Sequence, residues 1–123
     1  MSIQIGIDLV SAQDVKESVQ EHGDRYLARI YTEDERRECR ADPTRLAARF
    51  AAKEATMKAL GRDNEALDWR SIGVHLDACG RPSLQLTGAA AELAQRRGVT
   101  ELSVSLTEDG SLAAAVVLAK VGS

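Results

Sequence analysis

The stretch RFAAKEATMKALG, residues 49–61, sets Arg49, Lys53, Glu54 and Lys58 within ten residues. Glu54 and Lys58 stand four apart in the order that favours a helical ion pair, which contributes about 0.3–0.5 kcal/mol at a surface. Arg49 and Lys53 share another part of the helix surface at the same spacing. Ala47, Ala48, Ala51, Ala52, Ala55 and Ala59 surround these charges, so little bulk shields them and a ligand or second chain could approach closely. A carboxylate beside two or three cations is also what a Mg²⁺–pyrophosphate site requires. The acid holds the metal, and ammonium or guanidinium groups neutralise phosphate oxygens that the metal does not reach. A solvated helix face and a reaction centre are both compatible with this stretch alone.

A second acid, Asp8, lies in IQIGIDLV at residues 3–10. Ile3, Ile5, Ile7 and Leu9 alternate with Gln4, Gly6, Asp8 and Val10, which predicts a half-buried strand with Asp8 on its polar side. Gly6 beside it leaves space above the sheet. Asp8 either caps the following helix or meets water, as loop-proximal aspartates commonly do, or it joins the chemistry of Glu54.

The elements that must position these groups follow from caps and periods. Ser11 begins SAQD, a box-like opening for a helix running to about His22, with Gly23 as its stop. Thr32 and Glu35 form a second box, TEDE, which predicts a short polar helix near 33–40. Asp42-Pro43 is an N-cap followed by proline at the first helical position, and Gly61 is a natural C-terminal stop. The second half changes period: strands at 71–76 and 83–87 around the turn DACGRP, a helix at 89–97 ended by Gly98, then strands at 101–107 and 112–121. EDGS, containing Asp109-Gly110, is a hairpin signal between the last two. This order predicts an α+β fold with one long helix and a largely antiparallel sheet.

The length of 123 residues suits one domain covering 1–123. Apolar residues make up 44% but aromatics only 3%, so the core must be built from Leu, Ile, Val and Ala, and a subunit interface would usefully add buried area. The net charge of −3 lacks the basic field of a nucleic-acid binder. No charged-then-apolar leader and no apolar run of membrane-spanning length is present, so no membrane partner is expected. Cys39 and Cys79 stand apart without metal-ligand spacing, which suits reduced thiols in a cytoplasmic protein.

GIDLV and RFAAKEATMKALG together resemble the holo-acyl-carrier-protein synthase family, the small 4′-phosphopantetheinyl transferases. TEDE, LDWRSIGV, GRP and SVSLT…LAAAVVL extend the resemblance over essentially the whole chain. It implies a 4′-phosphopantetheinyl transferase-like fold and transfer of 4′-phosphopantetheine from coenzyme A to a serine of an apo acyl, peptidyl or polyketide carrier protein, with release of 3′,5′-ADP. It implies Asp8 and Glu54 as Mg²⁺ ligands, Glu54 as the group that takes the serine proton, directly or through a metal-bound water, and Lys58 as the cation that offsets phosphate charge. Arg49, Phe50, Lys58, Gly61 and Pro82 would hold coenzyme A. The sites would form between subunits of a homotrimer.

The chain also departs from that family. Relatives usually carry a histidine after the S-[IV]-S triplet, where this chain has Leu106, and His22 and His75 lie in other elements. Relatives usually carry arginine in the first helix, where this chain has Asp14, which weakens or reverses attraction to an acidic carrier. RDNEA replaces the usual residues after KALG, with Arg62 still able to meet phosphate, and Met57 stands where serine is frequent. Asp8, Glu54 and Lys58 are untouched. The expectation is a divergent transferase dedicated to one carrier. The alternatives are a catalytically degenerate paralogue that binds coenzyme A or a partner without transfer, and a generic trimeric assembly or interaction module.

Overall fold

The computed structural model describes residues 1–61 and 67–122. Strand β1 spans Ser2–Ser11 and leads directly into helix α1, Ala12–His22. Ser11 caps α1 by accepting from the Asp14 backbone N–H at 3.3 Å. Helix α2, Asp24–Ile30, follows after Gly23 alone, and helix α3, Glu33–Cys39, opens on the reciprocal Thr32–Glu35 capping box. Helix α4, Pro43–Ala59, starts from Asp42, whose carboxylate accepts from the Thr44 N–H at 2.9 Å. A short 3₁₀ turn, Trp69–Ser71, leads into β2, Ile72–Leu76, and β3, Pro82–Leu86. Helix α5, Gly88–Arg96, precedes the hairpin of β4, Val99–Glu108, and β5, Leu112–Val121.

The α+β expectation holds, with one difference in architecture. The strands form two antiparallel sheets, β1-β5-β4 and β2-β3. Helix α2 is an addition: Gly23 reads as a stop, and it separates two helices without a loop between them.

Helix α4 crosses the three-stranded sheet on a layer of small side chains. Ala51, Ala52, Ala55 and Ala59 pack on Ala115, Val117 and Ala119 of β5. Gly6 makes this approach possible, because a Cβ there would lie 1.9 Å from the Ala55 carbonyl oxygen. Two expectations are thereby corrected. The space above Gly6 is filled by α4, and most of the alanines face the sheet rather than leaving the charges open. Ala47, Ala51, Ala52 and Ala55 are fully buried.

The sense of the β1 alternation is also the reverse of a simple half-buried strand. Its covered face is the one bearing Gly6, while Ile3, Ile5, Ile7 and Leu9 are 57–65% exposed. Leu118, opposite Ile5 in the register, and Leu112, opposite Ser11, are exposed as well. Among the described residues, no helix is long and apolar enough to cross a membrane.

Candidate active site

Asp8 comes from the covered face of β1 and Glu54 from the flank of α4 beside it. Both line one cavity of about 450 Å³, with Asp14 of α1, Tyr26 of α2 and Phe50 of α4. The fold explains the convergence. Gly6 seats α4 against β1, and residues 50, 54 and 58 recur every four positions, so they share one flank of the helix. Lys58 reaches across to β1, where its ammonium donates to Asp8 Oδ1 at 2.9 Å and to the Ile7 carbonyl at 3.0 Å. Asp8 therefore faces neither water alone nor the α1 cap, which Ser11 supplies.

Phe50 is backed by Trp69, with ring centroids 5.0 Å apart. That contact links this cavity wall to the segment leading into β2.

Arg49 and Pro82 belong elsewhere. They line a larger cavity of about 770 Å³, with Arg45, Glu38, Leu76 and Leu106 among its walls. Among the described residues, the two cavities share no lining residue. They lie against opposite edge strands, β1 for the first and β4 for the second. Gly61 closes α4 with its N–H bonded to the Lys58 carbonyl at 3.1 Å and a φ of 65°. A side chain there would be strained, and its Cβ would meet the Arg97 guanidinium at 3.1 Å. RDNEA, including Arg62, lies outside the described residues.

Arg49 and Lys53 correct the expectation of surface cations. Arg49 is almost fully buried and Lys53 completely so. Arg49 Nη1 donates to Glu38 Oε1 at 3.0 Å and to the Val74 carbonyl at 2.8 Å. The Lys53 ammonium pairs with Glu35 Oε1 at 2.7 Å and donates to the Trp69 and Ile72 carbonyls. Burial pulls the Lys53 pKa below its ordinary value, opposed by the Glu35 carboxylate. Glu35 reads in sequence only as the closing residue of a capping box. Its second role had no sequence signal, because its partner is decided by packing.

The donor set of the smaller cavity suits a hard divalent cation. Among the described residues, no three or more His, Cys, Asp or Glu side chains gather into a cage. Asp8 on β1 and Glu54 on α4, with an ammonium already seated on Asp8 and the more exposed Asp14 further along the same cavity, suit an ion that keeps its waters and completes its shell with phosphate oxygens. Asp8 and Glu54 are the residues able to hold such an ion.

Comparison with known proteins gives the family. Residues 4–117 match the family model described as ACPS, 4′-phosphopantetheinyl transferase superfamily. A holo-acyl-carrier-protein synthase of Paramagnetospirillum magneticum is 43% identical, with 96% of this chain and 95% of that protein covered. One of Chloroflexus aggregans is 41% identical, with 94% of each covered. Among solved structures, the ACPS–CoA complex of Chronobacterium ammoniagenes superposes with a TM-score of 0.88 at 30% identity over 100% of both chains. The Helicobacter pylori holo-acyl-carrier-protein synthase in complex with coenzyme A gives 0.84 at 28% identity, covering 94% of this chain and 99% of that one. A family model matching residues 4–117, together with relatives above 40% identity, places this chain in the 4′-phosphopantetheinyl transferase superfamily.

Proposed function

We propose that this protein transfers 4′-phosphopantetheine from coenzyme A to a serine hydroxyl of an apo acyl, peptidyl or polyketide carrier protein, releasing 3′,5′-ADP. The observation that carries the reading is the meeting of Asp8 and Glu54, distant in sequence, on one cavity with the Lys58 ammonium beside them. Asp8 and Glu54 would hold Mg²⁺, which when bound polarises the diphosphate and neutralises part of its charge. Glu54 takes the proton of the attacking serine. Lys58, half-exposed on its outer side, donates to a phosphate oxygen as negative charge grows on the departing nucleotide. Phe50 gives the cavity an apolar wall that keeps water from the reacting atoms.

Arg49, Pro82 and Gly61 would hold the nucleotide end of coenzyme A. In one chain Arg49 and Pro82 line a different cavity from Asp8 and Glu54. A homotrimer that sets the larger cavity of one subunit against the smaller cavity of the next would reunite them. The uncovered aliphatic face of β1 supports such an assembly, since large contiguous apolar patches on soluble chains mark interfaces. A cytoplasmic setting suits the two free thiols.

Leu106 favours a second reading. It places an aliphatic side chain on the wall of the larger cavity, where a polar contact to the nucleotide would otherwise come, and this is consistent with a chain that binds coenzyme A without transfer. One assay decides. The protein is mixed with coenzyme A, Mg²⁺ and a panel of apo carriers, and phosphopantetheine addition is followed by mass spectrometry. The transferase modifies at least one carrier, and Asp8→Ala and Glu54→Ala each lower the rate at least a hundredfold. Mg²⁺-dependent coenzyme A binding with no product on any carrier would instead establish the second reading.

A further inference from the structure

Among the described residues, strand β2 has one strand neighbour, β3. The Thr87 N–H bonds to the Ser71 carbonyl and the Asp77 N–H to the Arg81 carbonyl. In an antiparallel ladder the direction of the backbone groups alternates, so Ile72 and Val74 turn theirs away from β3. That outer edge is buried: Ile72 and Val74 have no exposed surface. Unmet backbone groups there would be costly, yet among the described residues no further strand covers them.

Charged side chains take the place of that strand. Glu35 Oε2 accepts the Val74 N–H at 2.8 Å, Arg49 donates to the Val74 carbonyl at 2.8 Å, and Lys53 donates to the Ile72 carbonyl. Glu35 Oε1 also accepts the Thr32 N–H at 2.8 Å, so one carboxylate joins the start of α3, the middle of α4 and the centre of β2. Lys53 further holds the Trp69 carbonyl at 3.1 Å, and Trp69 backs Phe50. Among the described residues, no buried side-chain nitrogen or oxygen lacks a partner.

We infer that Glu35 and Lys53 are positioning residues for coenzyme A binding, locking the β2–β3 hairpin to α4 so that both cavities keep their walls. The pair touches neither cavity and acts through its neighbours. Through Val74 it sets the hairpin that brings Leu76 and Pro82 to the larger cavity, and through Trp69 it sets Phe50 at the smaller one. An ordinary hydrophobic contact would hold these elements together but would leave the hairpin free to slide along its axis. Directed hydrogen bonds to three successive outward backbone groups do not allow that.

The inference rests on the coenzyme A reading above, and its test separates the two. Removing one charge alone would strand the other in the interior, so the main variant is the double change Glu35→Gln with Lys53→Met, which keeps volume and removes both charges. Glu35→Gln alone is the milder companion, since Lys53, with its lowered pKa, can then shed its proton. Thermal melts verify folding, calorimetry with Mg²⁺ measures coenzyme A affinity, and hydrogen exchange follows the Val74 amide. The expected result for the double variant is a cooperative melt, at least tenfold weaker coenzyme A binding, and at least tenfold faster Val74 exchange with β1 and β5 amides unchanged. Glu35→Gln should shift affinity and exchange in the same direction by a smaller factor. A folded double variant with wild-type affinity and wild-type exchange overturns the inference. So does a double variant that does not fold while Glu35→Gln keeps both wild-type values. Should the wild-type protein bind no coenzyme A, the functional reading fails and the positioning role is judged on Val74 exchange alone.

Discussion

Cys39 sits in α3 with no exposed surface, and burial pushes its thiol up to about 11 from the ordinary 9.0. In the unfolded chain the same thiol ionises near pH 9. Between those values the unfolded state has lost a proton that the folded state keeps, so this contribution to stability is complete below pH 9 and fades as the pH climbs towards 11. Two units correspond to about 2.7 kcal/mol at full loss. Urea unfolding between pH 8.5 and 10.5 should therefore show a steeper decline for the wild-type protein than for Cys39→Ala, whatever the starting stabilities. Tyr26 and Tyr31, whose phenols are also raised by burial, supply a decline common to both proteins. Equal slopes would mean that the thiol is not sequestered. At this scale the charged groups of the candidate site were legible, because Asp8, Glu54 and Lys58 occur within two recognisable stretches. Lys53 and Glu35 were not. Residue type and i,i+4 spacing show which side chains share a helix flank, but whether water or protein covers that flank is settled by the chain that folds over it.

The seating of α4 on the sheet depends on a missing side chain. A Cβ at Gly6 would meet the Ala55 oxygen at 1.9 Å and the Ala59 nitrogen at 2.8 Å, both backbone atoms that no rotamer change can move. Gly6→Ala must lift the helix from β1, at a cost of about 3 kcal/mol or more by analogy with overpacked cores. Denaturant titration should record that loss. Transfer activity should fall further than the unfolded fraction explains, since the same lift separates Glu54 from Asp8. Unchanged stability would show that the contact relaxes freely. Most elements could be read in advance because their ends are chemically marked: Thr32 with Glu35, Asp42 with Pro43, Asp109 with Gly110. Helix α2 escaped because one glycine serves two helices. The β1 alternation was plain, yet periodicity divides a strand into two faces without saying which one α4 will cover.

For the whole molecule, the proposed homotrimer would cover the aliphatic face of β1 and bring the separated cavities together. Ile5 is 63% exposed and faces Leu118, exposed by 42%, across the register. Ile5→Asp places a charge in the middle of that surface without touching Asp8, Glu54 or Lys58. Light scattering should show the mass falling from three chains to one, and carrier modification should fall at least tenfold with it. Full activity in a single-chain species would refute sites shared between subunits. Helix α4 carries the consequence furthest. One rod presents Phe50 and Glu54 to one compartment and Arg49 to another, and each added or deleted residue turns everything beyond it by about 100°. A single codon gained inside the rod would disconnect both compartments at once. A change of length that spares both compartments must therefore fall in the turns.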